Sequence, residues 1–203
     1  TRTVIVFDLS AGTQGSHPEP PGMATVRVTG NDFSAENLTF ENDFNRTHEQ
    51  AFAGSQAQAL YLGGDRNVFR KVHVLGNQDT LYVGARGCGQ SSGPECVATR
   101  SYFTKCLIAG NVDFIYGDGK AVFDDCEIHS TEHAAGGFLT AQGKHYMSQE
   151  SGFVFNRCRL TAAPGVSNIY LGRPWRDFAT VVFLRTEMGA HIAEPGWERM
   201  ASG

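Results

Sequence analysis

Two short segments of this chain share one pattern. Gly76-Asn77-Gln78-Asp79-Thr80-Leu81-Tyr82 is followed, 34 positions on, by Gly110-Asn111-Val112-Asp113-Phe114-Ile115-Tyr116. The reactive group common to both is an aspartate. Two carboxyls brought together do not titrate alike: the like charge pushes one pKa up and leaves the other group ionised, so a single site obtains an acid and a nucleophile or base. Taken alone, the pattern also fits a pair of turn aspartates that cap backbone amides. Which of the two holds depends on the backbone that carries them.

That backbone is repetitive. An apolar residue, two intervening positions, a Val, Cys, Thr or Leu, one more position and a second apolar residue recur as Ala35-Leu38-Phe40, Phe69-Val72-Val74, Phe103-Cys106-Ile108, Phe123-Cys126-Ile128, Phe155-Cys158-Leu160 and Phe183-Thr186-Met188. Each unit ends in a period-two pair, as a strand with one buried face requires. The 20 residues between Phe103 and Phe123 set the shortest turn of the structure, and the longer intervals carry Gly, Pro, Ser and Asn insertions that read as loops, such as those from Gly84 to Thr99 and from Thr131 to Gly137. Little of the chain has helical periodicity. Stacked strand units of this length predict an all-β parallel β-helix occupying residues 1–203 as a single domain, with loops inserted on one side. A β-sandwich or barrel is the alternative, and it would require hairpin turns at more even spacing. In the β-helix register Asp79 lies five residues after Val74 and Asp113 five after Ile108. Discounting the excursion between Cys88 and Cys96, the two fall on consecutive coils, about 4.8 Å apart.

Bulk properties narrow the function classes. The chain has 203 residues, 41% apolar and 19% charged, with a net charge of −4. No Lys/Arg cluster provides a nucleic-acid footprint, and no apolar run reaches the length of a membrane span. The five cysteines, Cys88, Cys96, Cys106, Cys126 and Cys158, are compatible with two bridges and one free thiol in an exported protein, or with five unpaired side chains. Cys88 and Cys96 suit a local bridge. Cys106 and Cys126 share a register and are expected to stack or bond inside the helix.

Further motifs join the pair in a fixed order: Gln56-Ala57-Gln58-Ala59-Leu60, Gln78 to Tyr82, Gly110 to Gly117, Thr140-Ala141-Gln142-Gly143 and Leu171-Gly172-Arg173-Pro174-Trp175. In these motifs the chain resembles the pectin methylesterases, a carbohydrate-esterase family, from about Thr1 to Trp197. The resemblance implies a right-handed parallel β-helix and hydrolysis of the methyl esters of polygalacturonate to pectate and methanol. It implies Asp113 as nucleophile, Asp79 as acid and then base, Gln56 and Gln78 as oxyanion donors, and Arg173 as the group that orients Asp113. Trp175, Tyr82 and Tyr116 are the expected sugar-binding aromatics, with Trp197 less firmly placed, and Arg173, Arg176 and Lys144 are candidate cations for a polyuronate. The expected partner is methyl-esterified homogalacturonan, bound by a secreted monomer, extracellular or held in a periplasm or envelope, with no metal and no cofactor.

Some features depart from the family pattern. A Gly-x-Tyr-x-Glu segment usual upstream is missing and the end is early, so the chain reads as an internal fragment lacking the first coils and the C-terminal cap. Tyr116 stands where Phe is commoner, and Gln58 replaces an apolar residue. The long Cys-bracketed excursion resembles microbial members. Rival chemistries carry less: Gly89-Gln90-Ser91-Ser92-Gly93 has the spacing of a serine nucleophile elbow, but Pro94 directly follows it. His129 and His133 have no clear third metal ligand. A retaining glycosidase, a non-catalytic polysaccharide-binding β-helix, and an esterase or thioesterase for other acyl groups remain alternatives.

Overall fold

The computed structural model describes residues 3–16, 22–47, 54–87, 96–132 and 136–200. Three parallel sheets wind around one core. One has seven strands and runs from Thr3–Phe7 at one end to Glu187–Met188 at the other; two have six, spanning Ala24–Val28 to Ile169–Gly172 and Ser34–Glu36 to Val181–Leu184. Each strand pairs with its equivalent on the neighbouring coil, which is a parallel β-helix and excludes the sandwich and barrel. Helix is confined, among the described residues, to Phe44–Thr47 and a 3-10 turn at Ala11–Ser16.

The repeat read from sequence is the register itself. Ala35 pairs with Phe69, Phe69 with Phe103, Phe103 with Phe123, Phe123 with Phe155 and Phe155 with Phe183. Five phenylalanine rings therefore stack along the core at centroid spacings of 4.7, 4.8, 4.6 and 4.6 Å. These spacings follow the strand separation, and the rings lie within 7 to 13° of parallel from one coil to the next. On the adjoining sheet Phe40, Val74, Ile108, Ile128, Leu160 and Met188 form a second row.

Between the two rows the chain must bend sharply, and it does so with one left-handed residue per coil. Asn37, Lys71, Lys105, Asp125, Arg157 and Arg185 each lie two positions after the row residue and have φ of 50 to 57°. Four of the six are Lys or Arg, which gain nothing locally from this conformation. Hydrogen bonds to the next coil hold it: Lys71 N donates to Thr104 O at 3.0 Å, Lys105 N to Asp124 O at 3.1 Å and Arg157 N to Leu184 O at 2.9 Å.

Of the two outcomes expected for Cys106 and Cys126, stacking is the one found. Cys106, Cys126 and Cys158 are free and buried. Cys106 and Cys126 stack without a disulfide: Cys106 N donates to Cys126 Sγ at 3.4 Å, and each thiol points along the stack to a carbonyl of the preceding coil, Cys106 to Phe69 O at 3.5 Å, Cys126 to Phe103 O at 3.6 Å and Cys158 to Phe123 O at 3.3 Å. Cys96 is disulfide-bonded; Cys88, and the Gly89 to Gly93 elbow pattern, lie outside the described residues.

Candidate active site

The sheet from Ala24–Val28 to Ile169–Gly172 carries the site on its outer face. Leu81–Val83 pairs with Ile115–Gly117, with Leu81 opposite Ile115 and Tyr82 opposite Tyr116. The 34-residue interval thus closes to a single coil step. The turns before these strands are likewise superposed: Asn111 N donates to Asn77 O at 3.1 Å and Asp79 N to Val112 O at 3.0 Å. Asp79 and Asp113 both take the left-handed conformation, with φ of 63° and 50°, which Asp tolerates better than most residues. The glycine opening each block has a steric reason. A Cβ on Gly110 would lie 2.3 Å from Phe114 Cβ and 2.6 Å from Asn77 O, and one on Gly76 would lie 2.8 Å from Thr80 Oγ1.

What separates the two carboxyls is Arg173. Its Nε donates to Asp113 Oδ1 at 2.9 Å and its Nη2 to Asp113 Oδ2 at 2.6 Å, a bidentate fork that fixes the carboxylate plane. The guanidinium carbon lies 4.1 Å from the centroid of the Phe138 ring, which supports the fork from beneath. Asp113 is 8% exposed. Asp79 has no such fork. Burial, and then the neighbouring Asp113 charge, push its carboxyl up to about 7, while the Tyr116 hydroxyl and Arg173 pull the other way. Arg173 is in turn raised, chiefly by its hydrogen bonds to Asp113, and Glu198 and Asp79 add to the effect.

Gln56 and Gln78 arrive from the same sheet edge. Ala11 N donates to Gln56 O at 2.8 Å, Ala57 N to Gln78 O at 3.1 Å, and Ser55 Oγ to Gln78 Oε1 at 2.8 Å. With its oxygen engaged, the Gln78 amide can present only N–H donors to the site. Neither side-chain nitrogen has a hydrogen-bond acceptor among the described residues, which leaves both for a ligand oxygen.

The predicted aromatics form a continuous row. Tyr61 stacks on Tyr82 at 4.8 Å, Tyr82 meets Tyr116 edgewise at 5.0 Å, and Tyr116 meets Trp175 edgewise at 5.9 Å. Arg27 lies over Tyr61 and Arg176 over Trp175. Tyr116 is only 7% exposed, so what it turns to the site is a hydroxyl and not a ring face. Trp175 is half-buried above Gly143, where any Cβ would come within 2.6 Å of the indole. Trp197, 47% exposed, lines a groove of about 410 Å³ next to Arg173 together with Thr140, Gln142 and Pro174. Lys144 is half-buried and contributes through its backbone to the loop below Trp175.

Other residues of the site are given no role by the sequence. Gln142 is buried; its Oε1 accepts from Lys144 N at 3.1 Å and Thr180 N at 2.8 Å, and its Nε2 donates to Ser151 Oγ at 2.6 Å. It thereby ties down the loop that carries Trp175. Ser55 and Phe138 belong to no motif at all. Asp118 is buried beside Tyr82 and accepts from Ala85 N at 2.8 Å. His129, considered above as a ligand, bonds Thr161 Oγ1 at 2.8 Å, and His133 lies outside the described residues.

The fold and site define a parallel β-helix protein with two juxtaposed aspartates, one of them clamped by arginine. The Pectinesterase family matches residues 2–203, and the chain belongs to that family. It is 39% identical over 177 residues to Pectinesterase 31 of Arabidopsis thaliana, covering 87% of this chain and 49% of that protein. Among solved structures it is similar to the pectin methylesterase from Yersinia enterocolitica, with a TM-score of 0.83 and 33% identity over 98% of this chain and 68% of that one. It is also similar to a pectin methylesterase in complex with a hexasaccharide, with a TM-score of 0.76 and 32% identity over 95% of this chain and 64% of that one. The chain spans about half or less of the length of the curated relatives it matches.

Proposed function

We propose that the protein hydrolyses the methyl esters of polygalacturonate. The observation that carries this reading is the asymmetry of the aspartate pair: one carboxylate is fixed by the Arg173 fork and the other is pushed up to about 7. An oxygen of Asp113 attacks the ester carbonyl carbon, and the oxyanion of the tetrahedral intermediate accepts hydrogen bonds from the Gln56 and Gln78 amides. Asp79, protonated, gives its proton to the departing methoxide, so methanol leaves and an aspartyl anhydride remains. Asp79, now ionised, takes a proton from water; the hydroxide adds to the substrate carbonyl, the anhydride breaks, and Asp113 is regenerated with the free galacturonate. Trp175 and Tyr82 provide apolar surface for sugar rings, and Arg173 and Arg176 offset the negative charge of a polyuronate. A secreted, monomeric enzyme acting on homogalacturonan fits this reading.

The direct test is incubation with highly methylated pectin, following methanol and reducing ends together. Methanol without new reducing ends, unaffected by Ser91→Ala, is expected. Reducing ends without methanol would indicate a glycosidase and sink the proposal.

A further inference from the structure

Asp79 is bracketed by a pair of polar side chains that the two-aspartate chemistry does not by itself require. Gln58 opens the strand Gln58–Leu62 on the coil before Asp79, and Tyr116 sits in Ile115–Gly117 on the coil after it. The two meet across the intervening coil: Gln58 Nε2 donates to the Tyr116 hydroxyl. Both are buried, at 4% and 7% exposure, and the Tyr116 ring is held between Tyr82 and Trp175. An amide nitrogen only donates, so the phenolic oxygen is the acceptor in this bond and its single proton is left for another partner. Asp79 lies on that intervening coil, where extending the Leu60–Leu81 pairing by two positions sets it beside Gln58, and its charge acts on the phenol.

We propose that the phenol donates this proton to the Asp79 carboxyl, so that Gln58 and Tyr116 form a positioning relay that orients it. A hydroxyl that donates to a carboxylate favours the ionised form. The groups acting on Asp79 are few. Asp113 from the next coil, together with burial, favours the protonated acid; Arg173, from the segment after Ile169–Gly172, favours the carboxylate alongside Tyr116. Glu198 acts on Arg173, and the Tyr82 hydroxyl is turned to Asp118. In a reaction where one carboxyl is first acid and then base, a midpoint near neutrality serves both steps. The relay opposes the upward push of burial and of Asp113. Gln58 acts only through Tyr116, since its amide holds the phenol in the orientation that donates.

The inference rests on Asp79 being the acid and base of the proposed reaction, and two measurements keep the ideas apart. The first is the pH profile of kcat/KM for methanol release, whose alkaline limb follows loss of the Asp79 proton. The second is the titration of the Asp79 carboxyl carbon by NMR in the substrate-free protein, assigned by comparison with Asp79→Asn. Tyr116→Phe is expected to raise both midpoints by about one pH unit, the worth of a hydrogen bond to a charged group. Gln58→Leu should raise them by less, and the double variant should match Tyr116→Phe alone. A carbon midpoint that rises while the kinetic limb stays fixed upholds the relay and removes Asp79 from the chemistry. A Tyr116→Phe enzyme slowed equally at every pH, with the carbon midpoint unmoved, reduces the pair to packing and overturns the inference. Should Tyr116→Phe yield too little folded protein, Gln58→Leu carries the comparison, and an unmoved carbon midpoint there overturns it equally.

Discussion

Asp79 and Asp113 are the same residue type in the same turn with the same backbone conformation, yet their surroundings make them chemically unlike. The duplication was legible because Gly, Asn and Asp recur at fixed offsets. The unequal roles proposed for them came only with the resemblance, since the partner that separates them lies 60 residues beyond Asp113 in a motif of its own. Arg173→Lys keeps the charge but loses the planar two-point contact, and we expect kcat to fall by about 10²-fold, as for a reacting group displaced by about an ångström; steady-state kinetics on methylated pectin checks this. Asp79 also couples to stability. Its folded midpoint, about 7, lies above the ordinary carboxyl value of 3.8, so the stability this group contributes is present at low pH and is lost as pH rises from about 4 through 7. Asp79→Asn, which suits the left-handed turn equally well and has no proton to lose, should raise the melting temperature relative to wild type at pH 8 and much less at pH 4.5. Thermal unfolding of both proteins at the two pH values measures the difference.

At the scale of the elements, the strand units were readable because one row of phenylalanines marks them, and pairing placed those rings in register from Phe69 to Phe183. The left-handed turns that follow were not readable. Their residues are mostly Lys and Arg, chosen by no local preference, and it is the stacked neighbour coil that holds them. Gln142 was visible only as a letter in a motif, because its three hydrogen bonds reach loops whose course no periodicity describes. The ladder makes a quantitative statement about packing. Phe123 is fully buried between Phe103 and Phe155, and Phe123→Ala removes a ring that no neighbour on a rigid coil can replace. A loss of about 3–5 kcal/mol is expected, read from denaturant unfolding, whereas Phe183→Ala near the end of the row, with its ring less buried, should cost less.

Across the whole molecule, the sheets hold three reduced cysteines in line inside the core. Spacing left stacking and bonding both open for Cys106 and Cys126; side-chain direction, which spacing does not encode, turns each thiol to a carbonyl instead. A thiol reagent should therefore leave Cys106, Cys126 and Cys158 untouched in the native protein and label all three after denaturation under non-reducing conditions. In a chain of net charge −4 the coil stack gathers Arg27, Arg173 and Arg176 along one aromatic row, beside the acidic Asp79, Asp113 and Asp118. The central claim is that Asp113 forms the covalent bond to the substrate carbonyl. Methanol release from highly methylated pectin by Asp113→Asn, in protein shown by its far-ultraviolet spectrum and unfolding profile to be native, tests it most directly. Activity should fall by at least about 10⁴-fold, as for loss of a catalytic nucleophile; a folded Asp113→Asn protein that releases methanol within tenfold of the wild-type rate would contradict it.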